Sequence, residues 1–137
     1  MNRQRAAALV EFALAWPVAL LIVFAAVQAA VWATEAYAAR AASLAGARAG
    51  TVAGATAANA EQVARVALAS SLIGVTPAVW CPGQASSKPR VWVCAIDHGT
   101  TMEVDVGGTA PGLVPFGPAG GLPLHARIVL PKEVFSR

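Results

Sequence analysis

Residues 12–33, FALAWPVALLIVFAAVQAAVWA, are 22 consecutive positions without a formal charge. At ~1.5 Å per residue a helix of that length spans about 33 Å, close to the ~30 Å hydrocarbon core of a bilayer. Ala dominates residues 25–69, with Val, Leu, Gln, Glu and Arg between, and no Pro occurs from 18 through 76. Ala has the most favourable helix propensity, so the pattern predicts one helix from about residue 7 to about residue 73, roughly 100 Å long. Its membrane part is 7–33 and its continuation beyond the membrane 34–73. Globular domains seldom hold such an element; filament subunits, coiled coils and membrane stalks do. Pro17 lacks the N–H that would bond to Ala13, which predicts a kink inside the membrane half.

Small residues recur every four positions at Ala42, Gly46, Gly50, Gly54 and Ala58. They make a ridge without bulk, suited to close approach by another helix. The competing reading is that an Ala-rich helix scatters small residues everywhere, and that the three glycines weaken it by about 1 kcal/mol each. Val52, Val63, Val66 and Ile73 share one side at helical spacing and are the expected contact with the C-terminal part.

The texture changes at Gly74–Pro77. VWVCAI (91–96), MEVDV (102–106) and ARIVL (126–130) read as short strands, with DHGTT as a hairpin loop between the first two. The stretch GGTAPGLVPFGPAGGLP (107–123), with six Gly and four Pro, reads as a long irregular loop. Three short strands cannot bury both faces alone, so one face belongs on the end of the long helix. The expected fold class is therefore α+β: a pilin-like N-terminal helix packed on a small strand-rich head, residues 74–137.

About 60 residues remain outside the helix, a core of marginal size that calls for a disulfide, a partner or the helix itself. Trp80 and Trp92 are expected to furnish much of it. Net charge is +3, but beyond Arg3 and Arg5 the positives are scattered over Lys88, Arg90, Arg127, Lys132 and Arg137. Without a basic stripe or an aromatic platform, nucleic acid is not an expected partner. Arg3, Arg5 and the N-terminal amine, weighed against the mixed Glu35, Arg40, Arg48 and Glu61, place the N-terminus in the cytoplasm. The head then lies outside, in the periplasm if the cell has two membranes. A secretory signal peptide is the competitor, with AVQAA or YAARA as its cleavage site. The run is longer than the 7–15 residues such a peptide needs, and Glu11 stands at its entrance.

A lone carboxylate at the edge of hydrocarbon is expensive and marks a site that needs it. Cys81 and Cys94, the only two cysteines, are by default a disulfide in an extracytoplasmic head. It would close a 14-residue loop worth about 3 kcal/mol. A metal set drawn from these cysteines with Asp97, His98 and His125 matches no compact zinc spacing. A Cys–His nucleophile would lack an orienting group. No Ser–His–Asp order, phosphate loop or dinucleotide fingerprint occurs. Glu103 and Asp105 alternate with Met102, Val104 and Val106 and read as the wet side of a strand. His98 belongs in an exposed turn. The expectation is a non-enzyme without cofactor or metal.

The segment RQRAAALVEFALAWPVALLIVFAAVQ (3–28) resembles the TadE/TadG-like pseudopilins of the tight-adherence (Flp) type IV pilus system. Their pattern is a basic residue, small and apolar residues, Val-Glu-Phe, an apolar run and a proline. Here these are Val10, Glu11, Phe12 and Pro17. ASLAGAR (42–48) keeps Gly46, Ala47 and Arg48 of a further family element and has Leu44 and Ala45 where the family has Arg-Glu. The resemblance covers about residues 3–50. It implies a minor pseudopilin or assembly factor in surface adherence, with a prepilin peptidase, other pilins and pseudopilins, and the bilayer as partners. The implied cut lies between Ala6 and Ala7, with Ala6 in the place of the usual glycine and residues 1–6 as leader. Glu11 and Phe12 would then serve processing and assembly. The new amine on Ala7 would stand about one turn from Glu11, and Glu11 of one subunit would meet the amine of a neighbour, offsetting its desolvation. Two alternatives stand beside this: an uncleaved anchored envelope protein whose head binds a protein partner, and a secreted enzyme after signal removal.

Overall fold

The computed structural model describes residues 2–72, 74–110 and 121–133. Ile73 and residues 111–120 of the expected loop lie outside them. The element order is α1 (Asn2–Thr51), α2 (Ala57–Ala69), β1 (Ala78–Val79), β2 (Val91–Asp97), β3 (Thr101–Ala110) and β4 (Leu122–Pro131). This is an α+β architecture, a long N-terminal helix packed on a small strand-rich head. α1 continues through Pro17.

The single helix expected to residue 73 is instead two. α1 stops at Thr51 and α2 folds back along it, with Gly46 against Ala60 and Ala64. The turn is written in residues that a uniform Ala background disguises. Gly54 takes φ +81°, a left-handed conformation that costs glycine little. Ala55 N donates to Val52 O at 3.0 Å. Thr56, extended at φ −114° and ψ 164°, caps α2 by accepting from Asn59 N at 3.4 Å. Gly54 therefore belongs to the turn, not to the ridge of small residues, and Ala58 lies exposed on α2.

The sheet order is β1-β2-β3-β4. β1 pairs with β2 in parallel, while β2, β3 and β4 form an antiparallel meander. One sheet face carries Val91, Val93, Ala95, Met102, Val104, Val106 and Leu124. It rests on Ala39, Ala42 and Ala47 of α1 and on Ala60, Ala64 and Leu68 of α2. Val52, Val63 and Val66, expected to make this contact, are exposed instead. The inward stripe of α2 is Ala60, Ala64 and Leu68, with alanines at the two positions where its backbone approaches α1 at Gly46.

Trp92 also departs from expectation. It alternates with Val91 and Val93, so it lies on the opposite face of the sheet from the helices. There it is buried over Gly107, and Trp80 meets it edge to face with ring centroids 5.4 Å apart. The core between sheet and helices is aliphatic and built without the tryptophans. Gly107 through Ala110 complete β3 and Leu122 begins β4, so both strands run into what the sequence presents as loop. A side chain at 107 would strike the Trp92 ring, which is why a glycine stands inside a strand.

A Cβ placed on Gly46 would lie 2.7 Å from both Ala60 O and Ala64 Cβ. Gly46→Val should therefore destabilise the head by about 1–3 kcal/mol, the usual range for overpacking. The midpoint of urea unfolding followed by tryptophan fluorescence measures this.

Candidate functional site

From Leu9 to Thr34 nearly every residue of α1 is exposed, including Leu14 at 70%, Leu21 at 69% and Phe24 at 63%. The apolar window in this helix buries none of itself against the rest of the chain, and it is long and apolar enough to cross a membrane. Among the described residues nothing in the head relieves this exposure, so the hydrophobic effect assigns the run to another apolar medium or to neighbouring helices. Glu11 is exposed on this rod. Phe12, one residue on, stacks with Trp16 one turn away, ring centroids 5.9 Å apart and planes at 26°. Ala6 and Ala7 belong to the first turns of the same helix.

The rod meets the head at Trp32, whose Nε1 donates to Pro123 O at 3.4 Å. Beyond it Glu35, Ala39, Ala42, Ser43, Gly46, Ala47 and Gly50 are buried. Ser43 resolves its burial locally, its hydroxyl donating to Arg40 O at 2.9 Å. Glu35 is only 4% exposed, and its Oε2 has no hydrogen-bond partner among the described residues. Gly46 and Gly50 are covered by this chain's own α2 and by Met102, so the close packing they permit is internal.

Cys81 and Cys94 form a disulfide with Cα atoms 4.9 Å apart. It fastens the segment after β1 to the middle of β2 on the sheet face that carries Trp80 and Trp92, and it consumes both thiols. The rest of that face is ionic. Glu103 accepts from Arg127 Nη2 at 2.6 Å and faces His98 Nε2 at 3.2 Å, and Asp105 faces His125 Nε2 at 3.1 Å. The expected wet side is thus a ladder of pairs, with Glu103 itself buried. His98 is half exposed in the β2–β3 turn, as a turn position requires. Asp97 ties that turn shut, accepting from Gly99 N at 2.8 Å and from Lys132 Nζ at 2.7 Å. The Arg127 guanidinium, and less strongly His98, hold the Glu103 carboxyl below its ordinary value of 4.5. Lys132 and the Gly99 amide hold Asp97 below 3.8.

Residue type and spacing mark neither Glu35 nor Arg127 as the partner of another side chain, and they suggest His125 only for a metal set whose spacing does not fit. The signal for the ladder was present in M-E-V-D-V and L-H-A-R-I, whose polar positions oppose each other once the two strands are paired. Glu35 gave no such signal, since its burial depends on where the head sits along α1. No protein-family model matches the chain, and neither does any curated protein or solved structure.

A carboxyl whose folded pKa is lowered supplies stability that is complete above its unfolded value and is lost as pH falls through the folded one. The head should therefore lose stability as pH drops below 4.5, the ordinary value for Glu103. Arg127→Leu, by removing the largest cause, should flatten that loss; urea titrations at pH 7 and below pH 4 compare the two slopes. Replacing both Cys81 and Cys94 by Ser should cost about 3 kcal/mol, read as an equal loss of unfolding free energy for the reduced and the variant protein relative to the unreduced one.

Proposed function

We propose that the chain is a minor pseudopilin or assembly factor of a Tad/Flp-type pilus or related secretion apparatus, active in surface adherence. The observation that carries the reading is the division of α1. Its first half is a bare apolar rod bearing one carboxylate, and its second half is the spine of a disulfide-tied head. That division suits a subunit that waits in a membrane and then exchanges lipid for the helices of its neighbours. The Val10-Glu11-Phe12 element and Pro17 support the family assignment.

On this reading the N-terminus is cytoplasmic, α1 crosses the inner membrane once, and the head stands in the periplasm, where the disulfide is at home. A prepilin peptidase removes residues 1–6 and leaves an amine on Ala7. Glu11 lies four residues further on, on the same side of the helix. An unpaired carboxylate drawn among apolar helices would carry the full desolvation penalty. The amine of an adjacent subunit offsets it and fixes axial register. The chain is in this view a substrate of the peptidase and a building part, with no chemistry of its own.

The protein should resist carbonate extraction from membranes, and Edman sequencing of the native material should begin at Ala7. Retention of residues 1–6 together with normal pilus output would favour the uncleaved anchor. Glu11→Gln should leave membrane abundance unchanged or raised, since removing a charge eases insertion. It should lower crosslinking to the other pilus components by about tenfold, the weight of one charge pair of about 1.4 kcal/mol. Unchanged crosslinking at equal membrane abundance would leave Glu11 without an assembly role.

A further inference from the structure

β4 is last in the sheet order, and among the described residues no strand lies beyond it. Which of its main-chain groups are free follows from the ladder. Lys132 N donates to Thr100 O and Thr109 N donates to Arg90 O, while the register from Thr101↔Pro131 to Ala110↔Leu122 is unbroken. Leu124, Ala126, Ile128 and Leu130 therefore turn N–H and C=O toward β3, and His125, Arg127 and Val129 turn theirs outward. α1 closes both ends of this outer edge. Trp32 Nε1 takes up Pro123 O at 3.4 Å, and Glu133 N donates to Thr51 O at 3.1 Å. Between these two clamps the edge borders a groove of about 390 Å³, lined by Ala36 and Arg40 of α1 and by residues 125–128 of β4.

We propose that this edge takes up an extended segment of another protein as an added fifth strand, with small apolar side chains and at least one carboxylate. Outward amides at 125, 127 and 129 supply main-chain hydrogen bonds. Ala36, Ala126 and Ile128 leave room for small apolar side chains on the helix side. Arg40 is exposed and has no ion pair among the described residues, so a carboxylate on the incoming strand completes it. Pro123 and Pro131 limit the edge at either end, as in strands guarded against indiscriminate pairing, yet Val129 between them is half exposed.

The occupant is not a second copy. Of the seven acidic residues, Asp97 and Glu103 are ion-paired, Asp105 lies mostly covered against His125 on the far face of the sheet, Glu61 accepts from Ala95 N, and Glu35 is buried. Glu11 lies on the apolar rod, and Glu133 sits where β4 is already fastened to α1. Antiparallel pairing of β4 with β4 about residues 126–127 would moreover bring the Arg127 side chains of the two copies close together.

The test uses the full chain in lipid nanodiscs and a fluorescein-labelled octapeptide (Val/Glu) that carries Ser on one face and, on the other, Val with one central Glu, followed by anisotropy. The Val/Glu peptide should bind. Its counterpart with Lys in place of Glu, and a Val/Glu peptide with alternate amides N-methylated, should each bind at least about tenfold more weakly. Val129→Pro removes only an outward N–H and spares the β3–β4 ladder. Arg40→Glu reverses the rim charge without touching the sheet. Each should lower affinity by about tenfold while thermal unfolding stays cooperative, and Arg40→Glu alone decides the matter if Val129→Pro does not fold. Equal binding of the two charge patterns, no binding of Val/Glu, or unchanged affinity in Arg40→Glu would overturn the proposal. So would a dimer of the chain that Val129→Pro dissolves, which would assign the edge to a second copy.

Discussion

The backbones of α1 and α2 come together at Gly46 with no side chain between them, and the remainder of the head is built on that contact. Because Gly46 and Gly50 yield to Ala60, Ala64 and Met102, the two helices form a thin floor. The sheet lies on it with α1 beneath β3 and β4 and α2 beneath β2. The cost of so close a floor is a core of alanines, valines, one methionine and few leucines. Each such side chain removes less apolar area from water than a leucine would, and stabilisation scales with that area. The Cys81–Cys94 bond and the ionic ladder on the far face stiffen a sheet whose core side is lightly filled.

The same contact decides what α1 can do with its other half. Residues 35–50 spend the helix's buried stripe on α2 and the sheet, and the head ends at the Trp32–Pro123 hydrogen bond. The sheet's core face is already occupied, so it offers Leu9–Thr34 no apolar surface to fold back on. An exposed apolar rod is thus a consequence of how the head is packed, and the rod and the spine of the head are one continuous helix, with no Pro in it after residue 17.

Much of this was legible from residue type and spacing. β-Branched runs and alternation located three strands and the hairpin at Gly99, and two lone cysteines outside a membrane run indicated their own bond. What escaped depends on contacts between distant residues. Gly107 and Gly108 resemble loop until Trp92 is known to cover the first of them. The valines of α2 look like a core face because hydrophobicity ranks them above alanine, whereas helix–helix distance selects alanine inside. The break at residues 52–56 was available locally, in Gly54 followed by a capping Thr56, and was hidden by uniform helix propensity on both sides. The charge ladder needed the β3–β4 register, and Glu35 needed the seat of the head on α1.

On the proposed membrane reading, that seat also sets depth. Between Glu11 and Glu35 lie 23 residues without a formal charge. As helix they measure about 34 Å, against a hydrocarbon core of ~30 Å. The slack of about 4 Å is less than one helical turn, so neither end can move far without drawing a carboxylate inward. Trp32 falls near the outer boundary, where aromatic side chains settle. Glu35 begins the buried part of the head immediately beyond. A neighbour that pairs with Glu11 therefore fixes more than the position of one charge. Through a helix clamped to β4 at Trp32 and again at Thr51, it fixes the height of the sheet edge above the membrane.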